Sequence, residues 1–183
     1  MRKHILKFST GKTVLLLFLL TNVVYVIMVA ITIPRVANFA NGMKLLDMLP
    51  AGYNLEYVQE LFTALGEEGR HFYLSVQLPI DMIYPLLFAI SFCLLLAWLL
   101  QKINKQHGRL FYLCYLPLIA GAADYLENIG IITLLKHFPD ITQQAVQITS
   151  LFSVLKSTAT SLYFVLLLLV LIWLGVVSIK KRK

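Results

Sequence analysis

Three carboxylates lie inside stretches of sequence that are otherwise typical of lipid-spanning helices. Asp81 lies in segment 79–88, and Asp124 and Glu127 lie in segment 124–128. An ionised carboxylate in hydrocarbon is energetically costly, so such groups usually mark a functional site. Two nearby carboxylates whose proton affinities differ can act as general acid and general base. We therefore predict that Asp124, Glu127 and Asp81 are candidate catalytic residues.

Polar residues on the same helices are predicted to form a ligand-binding pocket around these acids. Residues three or four positions apart share one face of an α-helix, which aligns Asn128 with Asp124 and Tyr84 with Asp81. A cation such as Lys156 would lie opposite a lipid phosphate or a developing negative charge. The predicted ligand-binding residues are Asn128, Tyr84, Lys156, Ser157, Arg70, Gln77 and Tyr25.

Metal and redox chemistry have weaker support in the sequence. The side chains available to hold a divalent metal are His71, Asp81, Asp124 and Glu127, but they do not form a recognised ligand motif. We predict no cofactor. Cys93 and Cys114 lack the Cys-x-x-Cys spacing of a redox pair, and buried free cysteine usually behaves as a small hydrophobe.

The composition identifies the class of protein that carries these residues. Hydrophobic residues make up 59% of the 183 residues and charged residues only 14%, against roughly 25% charged in a soluble domain. The chain is therefore predicted to be a multipass membrane protein. Its formal charge of +7 lies beside apolar runs rather than in a basic stripe with interleaved aromatics, so we predict no nucleic-acid partner.

Four segments are long enough to cross a bilayer, which takes about 20 mainly apolar residues. They are residues 14–33, 78–100, 110–135 and 151–179. Pro34 is predicted to end the first span. That span is too long for the apolar region of a signal peptide and is interpreted as a retained anchor. The prediction is an all-α bundle of four transmembrane helices in one domain, residues 1–183.

The distribution of basic residues predicts the orientation of this bundle, because short cytoplasmic loops are rich in Lys and Arg. The residues concerned are Arg2, Lys3, Lys7, Lys12, Lys102, Lys105, Arg109, Lys180, Lys181, Arg182 and Lys183. Both termini should be cytoplasmic and close to anionic lipids. The membrane would be the plasma (inner) membrane in a bacterium. In a eukaryote the last four residues resemble a dilysine retrieval signal of the endoplasmic reticulum.

The first external loop, residues 34–77, is predicted to contain an amphipathic helix over residues 54–66. Asn54 is a suitable N-cap, and apolar residues recur at helical spacing until Gly66 breaks the pattern. This helix would lie on the outer membrane surface, cap the bundle, or serve as an ordinary packing helix. Tyr73, which follows it, is predicted to anchor the membrane interface.

The depth of the polar residues favours a pocket over a channel. The strongly polar groups fall in the outer half of the spans, whereas residues 89–100 and 164–177 are almost wholly apolar. We expect a cleft that opens outward and binds or processes a lipid or another amphiphile. The alternative is a non-catalytic accessory or assembly subunit, or a small proton-coupled carrier. Its acids would then pair with Lys156, Arg70 or the helix of a partner or of a second copy.

Overall fold

The computed structural model describes residues 2–180, which contain helices and no β-strand. The α-helices are α1 (Arg2–Phe8), α2 (Gly11–Ile27), α3 (Ile33–Phe39), α4 (Leu55–Phe72), α5 (Leu78–Asp81), α6 (Tyr84–Lys102), α7 (Leu116–His137) and α8 (Gln143–Lys180). Two π-turns, Met28–Thr32 and Tyr73–Gln77, and two 3-10 helices, Leu46–Met48 and Arg109–Tyr115, complete the fold. Lys181, Arg182 and Lys183, with the retrieval signal suggested for them, lie outside the described residues.

Four helical segments are long and apolar enough to cross a membrane, as the sequence predicted. They are Gly11–Phe39, Leu55–Lys102, Arg109–His137 and Gln143–Lys180. The predicted end of the first segment at Pro34 is wrong, because the helix continues to Phe39. Pro34 occupies the first turn of α3, where a backbone N–H has no intrahelical partner and its loss costs little.

A π-turn precedes the proline in each of the first two long segments. Met28–Thr32 comes before Pro34, and Tyr73–Gln77 comes before Pro79. The Thr32 hydroxyl donates a hydrogen bond to Oε1 of Gln77, so the two π-turns are joined in the protein interior. Because a π-turn changes the helical register, residues before and after it do not share the face that an ideal α-helix would give them.

Helix α4 starts at the residue that the sequence indicated. The Asn54 side chain accepts a hydrogen bond from the Tyr57 backbone N–H at 2.9 Å, as expected of an N-cap. Gly66 interrupts the helix with φ of 62° and ψ of −173°, a conformation that is essentially restricted to glycine. The apolar face of α4 is buried within the protein, and it consists of Val58, Leu61, Phe62 and Leu65.

The bundle has two ends, which we name by the chain segments found there. At the loop end, segments 40–54 and 138–142 surround the buried face of α4. At the terminal end, α1 lies against the turn 103–108: the Arg2 guanidinium donates to the Gln106 carbonyl, and Gln101 donates to the Leu6 carbonyl. Helix α2 packs on α6, and α8 packs along α7.

The contact between α7 and α8 depends on a glycine. A Cβ placed on Gly130 would lie 2.4 Å from the Thr149 hydroxyl oxygen, and the Thr149 side chain is itself buried. We expect Gly130→Ala to lower the free energy of unfolding by about 1–3 kcal/mol, because the helices would be forced apart. Gly175 is the matched control because a Cβ placed there would have no neighbouring atom within 4 Å.

Thermal unfolding in detergent measures this difference. Gly175→Ala should be neutral or stabilising, since alanine is the better helix former. Equal melting temperatures for the two variants would show that α7 and α8 are not closely packed at Gly130.

Candidate functional site

A cavity of about 370 Å³ opens near the loop end of the bundle. Its walls come from α2, the first π-turn, the 3-10 helix Leu46–Met48, the junction of α5 and α6, α7 and α8. Six of the predicted site residues line it together: Tyr25, Asp81, Tyr84, Asp124, Lys156 and Ser157. Apolar side chains complete the walls, among them Met28, Val29, Ile33 and Phe88.

Lys156 is the central cation of the site. Its ammonium group lies 3.2 Å from Oδ1 of Asp124 and also forms a salt bridge with Oε2 of Glu127. The same group donates a hydrogen bond of 3.4 Å to the Asp47 carbonyl. Ser153, one turn before Lys156 on α8, donates its hydroxyl hydrogen to Oε1 of Glu127. Lys156 is thus held by two carboxylates, which neutralise its charge.

The two partners of Lys156 occupy different positions. Asp124 lines the cavity, whereas the Glu127 side chain is completely buried behind it. A ligand in the cavity would therefore meet Asp124 and not Glu127. This arrangement suits Glu127 for holding Lys156 in place rather than for proton transfer to a ligand, which requires hydrogen-bond reach.

Asp81 differs from the other acids because its carboxylate has no partner. The residue is only 3% exposed and lines the cavity at the end of α5. Across residues 2–180, no group donates a hydrogen bond to this carboxylate or forms a salt bridge with it. The Asp81 backbone carbonyl accepts a 3.4 Å hydrogen bond from Asn128, which fixes the backbone but not the charge.

Asp47 is a site residue that the sequence analysis did not identify. It lies in the 3-10 helix Leu46–Met48 and lines the cavity, and its carboxylate accepts a 2.8 Å hydrogen bond from the Tyr73 hydroxyl. The interface position predicted for Tyr73 is wrong, since this residue is fully buried. One signal was available: Asp47 is the single charged residue within the apolar run 45–50.

Three other predicted site residues lie outside the cavity. Gln77 is fully buried and joins the two π-turns, and Asn128 is fully buried behind Asp81. Arg70 donates a 2.7 Å hydrogen bond to the Phe62 carbonyl. Its guanidinium also lies 4.7 Å from the centroid of the Phe138 ring.

The sequence analysis also offered Arg70 as a partner for a buried acid such as Asp81. The π-turn Tyr73–Gln77 lies between these two residues and changes the helical register. The pair is absent from the salt bridges of residues 2–180, which join Lys156 to Asp124 and to Glu127.

Other chemistry-bearing groups are separated from the cavity. Within the described range 2–180, no three His, Cys, Asp or Glu side chains are arranged to hold a metal ion. Cys93 and Cys114 are buried free thiols in the core of the terminal half. Tyr53 does not line the cavity, and burial raises the pKa of its hydroxyl above the ordinary value.

These features define a helical bundle whose four long helices are apolar enough to cross a membrane and which contains an acid-rich cavity. No protein-family model matches the chain, and no curated protein or solved structure gives a significant match.

Proposed function

We propose that this chain is an integral membrane protein that binds an amphiphilic ligand in the cavity between α2 and α8. Broad apolar surfaces on these two helices support insertion into a bilayer, because water-exposed apolar patches of this size are rare in soluble proteins. The exposed residues include Leu15, Leu16, Leu19, Val23, Leu162, Val165, Leu168, Leu169 and Ile172.

The observation that carries this proposal is the unpartnered Asp81 carboxylate in a mostly apolar cavity. Binding sites for small molecules combine apolar walls with a few polar groups that fix the ligand. The ion pairs of Lys156 with Asp124 and Glu127 explain two of the buried acids as a structural lock. They do not explain Asp81, whose burial without a cation costs stability and is compensated when a ligand supplies the missing partner.

We favour binding over catalysis at this site. Asp124 and Glu127 cannot act together on a ligand, because only Asp124 lines the cavity. Asp81 and Asp124 are the two acids among the predicted catalytic residues that a ligand would contact. An accessory or assembly role is the second candidate, and the Lys156 ion pairs favour it because they complete a lock without any ligand.

Filling the cavity tests the proposal. Ser161 is exposed on α8 and lines the cavity, whereas Ser178 is exposed on the same helix near the terminal end. We expect wild type purified in mild detergent to retain a bound amphiphile that native mass spectrometry detects. Ser161→Trp should lose most of this ligand, and the matched control Ser178→Trp should retain it.

The outcome separates the two candidate functions. Equal ligand occupancy in the two tryptophan variants would exclude the cavity as the binding site. If wild type and both variants all lack a bound ligand, the accessory or assembly role is favoured.

The proposed orientation places the loop end outside the cytoplasm and both termini within it. The basic residues before α2 and between α6 and α7 support this arrangement. Helix α4 would then cap the outer end of the bundle. In intact cells, we expect an impermeant maleimide to label Glu67→Cys and to leave Lys105→Cys unlabelled until the membrane is opened.

The chain is well suited to this labelling experiment. Glu67 and Lys105 are both exposed, and the native thiols Cys93 and Cys114 are buried, so background labelling should be low. The reversed pattern would place the loop end in the cytoplasm, and the cavity would then open toward that side.

A further inference from the structure

We infer that the ligand is a long-chain amphiphile with a positively charged amine head, which pairs with Asp81 while its chain lies in a groove between α2 and α8. This inference rests on the proposed binding function and specifies the chemistry of the ligand.

The charges in the cavity select against an anionic head group. The cation there, Lys156, is already engaged by Asp124 and Glu127. Arg70 faces Phe62 and Phe138 and does not line the cavity. A phosphate or carboxylate would therefore bring negative charge to a site without an available counter-ion, where like charges repel strongly.

The same cavity provides the groups that an amine requires. Asp81 is only 3% exposed, its carboxylate has no partner within residues 2–180, and it lines the cavity. Two tyrosine rings, Tyr25 and Tyr84, lie with centroids 5.8 Å apart and also line it. Aromatic faces attract an organic cation, and a carboxylate accepts strong charge-assisted hydrogen bonds from an ammonium group.

The chain of the ligand has its own apolar path. A second cavity of about 480 Å³ lies toward the terminal end, and its walls come from α2, α6 and α8. Its walls include Phe18, Leu95, Trp98, Leu167 and Leu171. Residues of α2, α6 and α8 line both cavities, which therefore lie along one groove between α2 and α8.

Aromatic residues connect the walls of the two cavities. Phe92 lies between the lining residues Phe88 and Leu95 of α6, and Phe164 lies between Ser161 and Leu167 of α8. The Phe92 ring lies 6.0 Å from Phe18 and 5.5 Å from Phe164, measured between centroids. Phe18 and Phe164 are both substantially exposed. The distance from Tyr25 to Leu15 along α2 is about 15 Å at the rise of an α-helix. The groove is therefore long enough for an extended alkyl chain.

Competition binding with three probes of equal chain length tests this assignment. Tetradecylamine, tetradecanol and myristate differ in head-group charge, and butylamine supplies the amine without the chain. At a fixed concentration of non-ionic detergent, we expect wild type to bind the amine about tenfold or more tightly than the alcohol, the effect of one charge-assisted hydrogen bond. Myristate and butylamine should bind more weakly still.

Two pairs of variants identify the groups responsible. Asp81→Asn should remove most of the preference for the amine over the alcohol, whereas Asp140→Asn, an exposed acid in segment 138–142, should preserve it. Leu171→Trp should weaken binding of the long amine, because it fills the apolar groove. Leu169→Trp is its control on the same helix, since Leu169 is exposed and does not line the groove.

The folding of Asp81→Asn is checked by its melting temperature, which should equal or exceed that of wild type because an unpaired buried charge is removed. If this variant fails to fold, the relative affinities of wild type for the three long-chain probes test the inference. Equal binding of amine and alcohol, or tighter binding of myristate, would overturn the inference and leave amphiphile binding intact. Failure of every probe to bind, together with no retained ligand, would instead overturn the proposed function.

Discussion

Replacement of Lys156 by methionine is expected to lower the free energy of unfolding by about 3–5 kcal/mol, the cost of breaking a buried ion pair from one side. Asp124 and Glu127 are 7% and 0% exposed, and Lys156 is the cation that both contact. Methionine fills a similar volume without charge. Its introduction would leave two carboxylates buried close together, and each would have to be protonated or gain access to water.

Denaturant unfolding in detergent measures this loss. Lys44→Met is the matched control because Lys44 is exposed and forms no salt bridge within residues 2–180. The triple variant Lys156→Met, Asp124→Asn, Glu127→Gln should recover most of the stability, since a neutral set leaves no buried charge unpaired. A Lys156→Met protein as stable as Lys44→Met would show that this pairing does not contribute to the fold.

Lys156 and Asp81 are expected to have different roles: Lys156 stabilises the fold, whereas Asp81 binds the ligand. Removing Lys156 should destabilise the protein, whereas removing the Asp81 charge should not, because that carboxylate has no partner to lose within residues 2–180. A residue that lowers the stability of the free protein but binds a ligand is common at functional sites. Lys156→Met should therefore lower the melting temperature, whereas Asp81→Asn should leave it unchanged or raise it.

The sequence was sufficient to predict the four long helices, because each has an apolar run of the required length. It was insufficient to predict their ends. Pro34 was expected to end the first span, yet it lies in the first turn of α3, which follows a π-turn. The π-turns are joined by the Thr32–Gln77 hydrogen bond. A pattern within one helix does not reveal a contact between two segments distant in sequence.

The same limitation explains which site residues were predictable. Asp124 and Lys156 were each visible as charges in apolar helices, and their meeting follows from the packing of α7 on α8. The position of Asp47 could not be predicted because this residue belongs to a loop. That loop is held against the bundle by contacts such as the hydrogen bond from Tyr73. Arg70 was misplaced because a helical projection cannot anticipate the register change before Leu78.

The position of α4 was left open by its amphipathic pattern, and the burial of its apolar face favours packing against protein. Phe62 is completely buried within the chain, and the centroid of its ring lies 5.8 Å from that of Phe138. Its cluster includes Ile131 of α7 and Val146 of α8. Because the protein itself covers Phe62, lipid is not needed to shield it.

Phe62→Ala should accordingly cost about 3–5 kcal/mol of unfolding free energy, the usual loss for deleting a buried aromatic side chain. Phe8→Ala is the matched control because Phe8 is 55% exposed. Both variants are compared by denaturant unfolding in detergent. If α4 merely rested on the membrane surface, Phe62→Ala would be no more destabilising than Phe8→Ala. A large loss confined to Phe62→Ala would instead establish α4 as part of the folded bundle, where it supports the loop that carries Asp47 to the cavity.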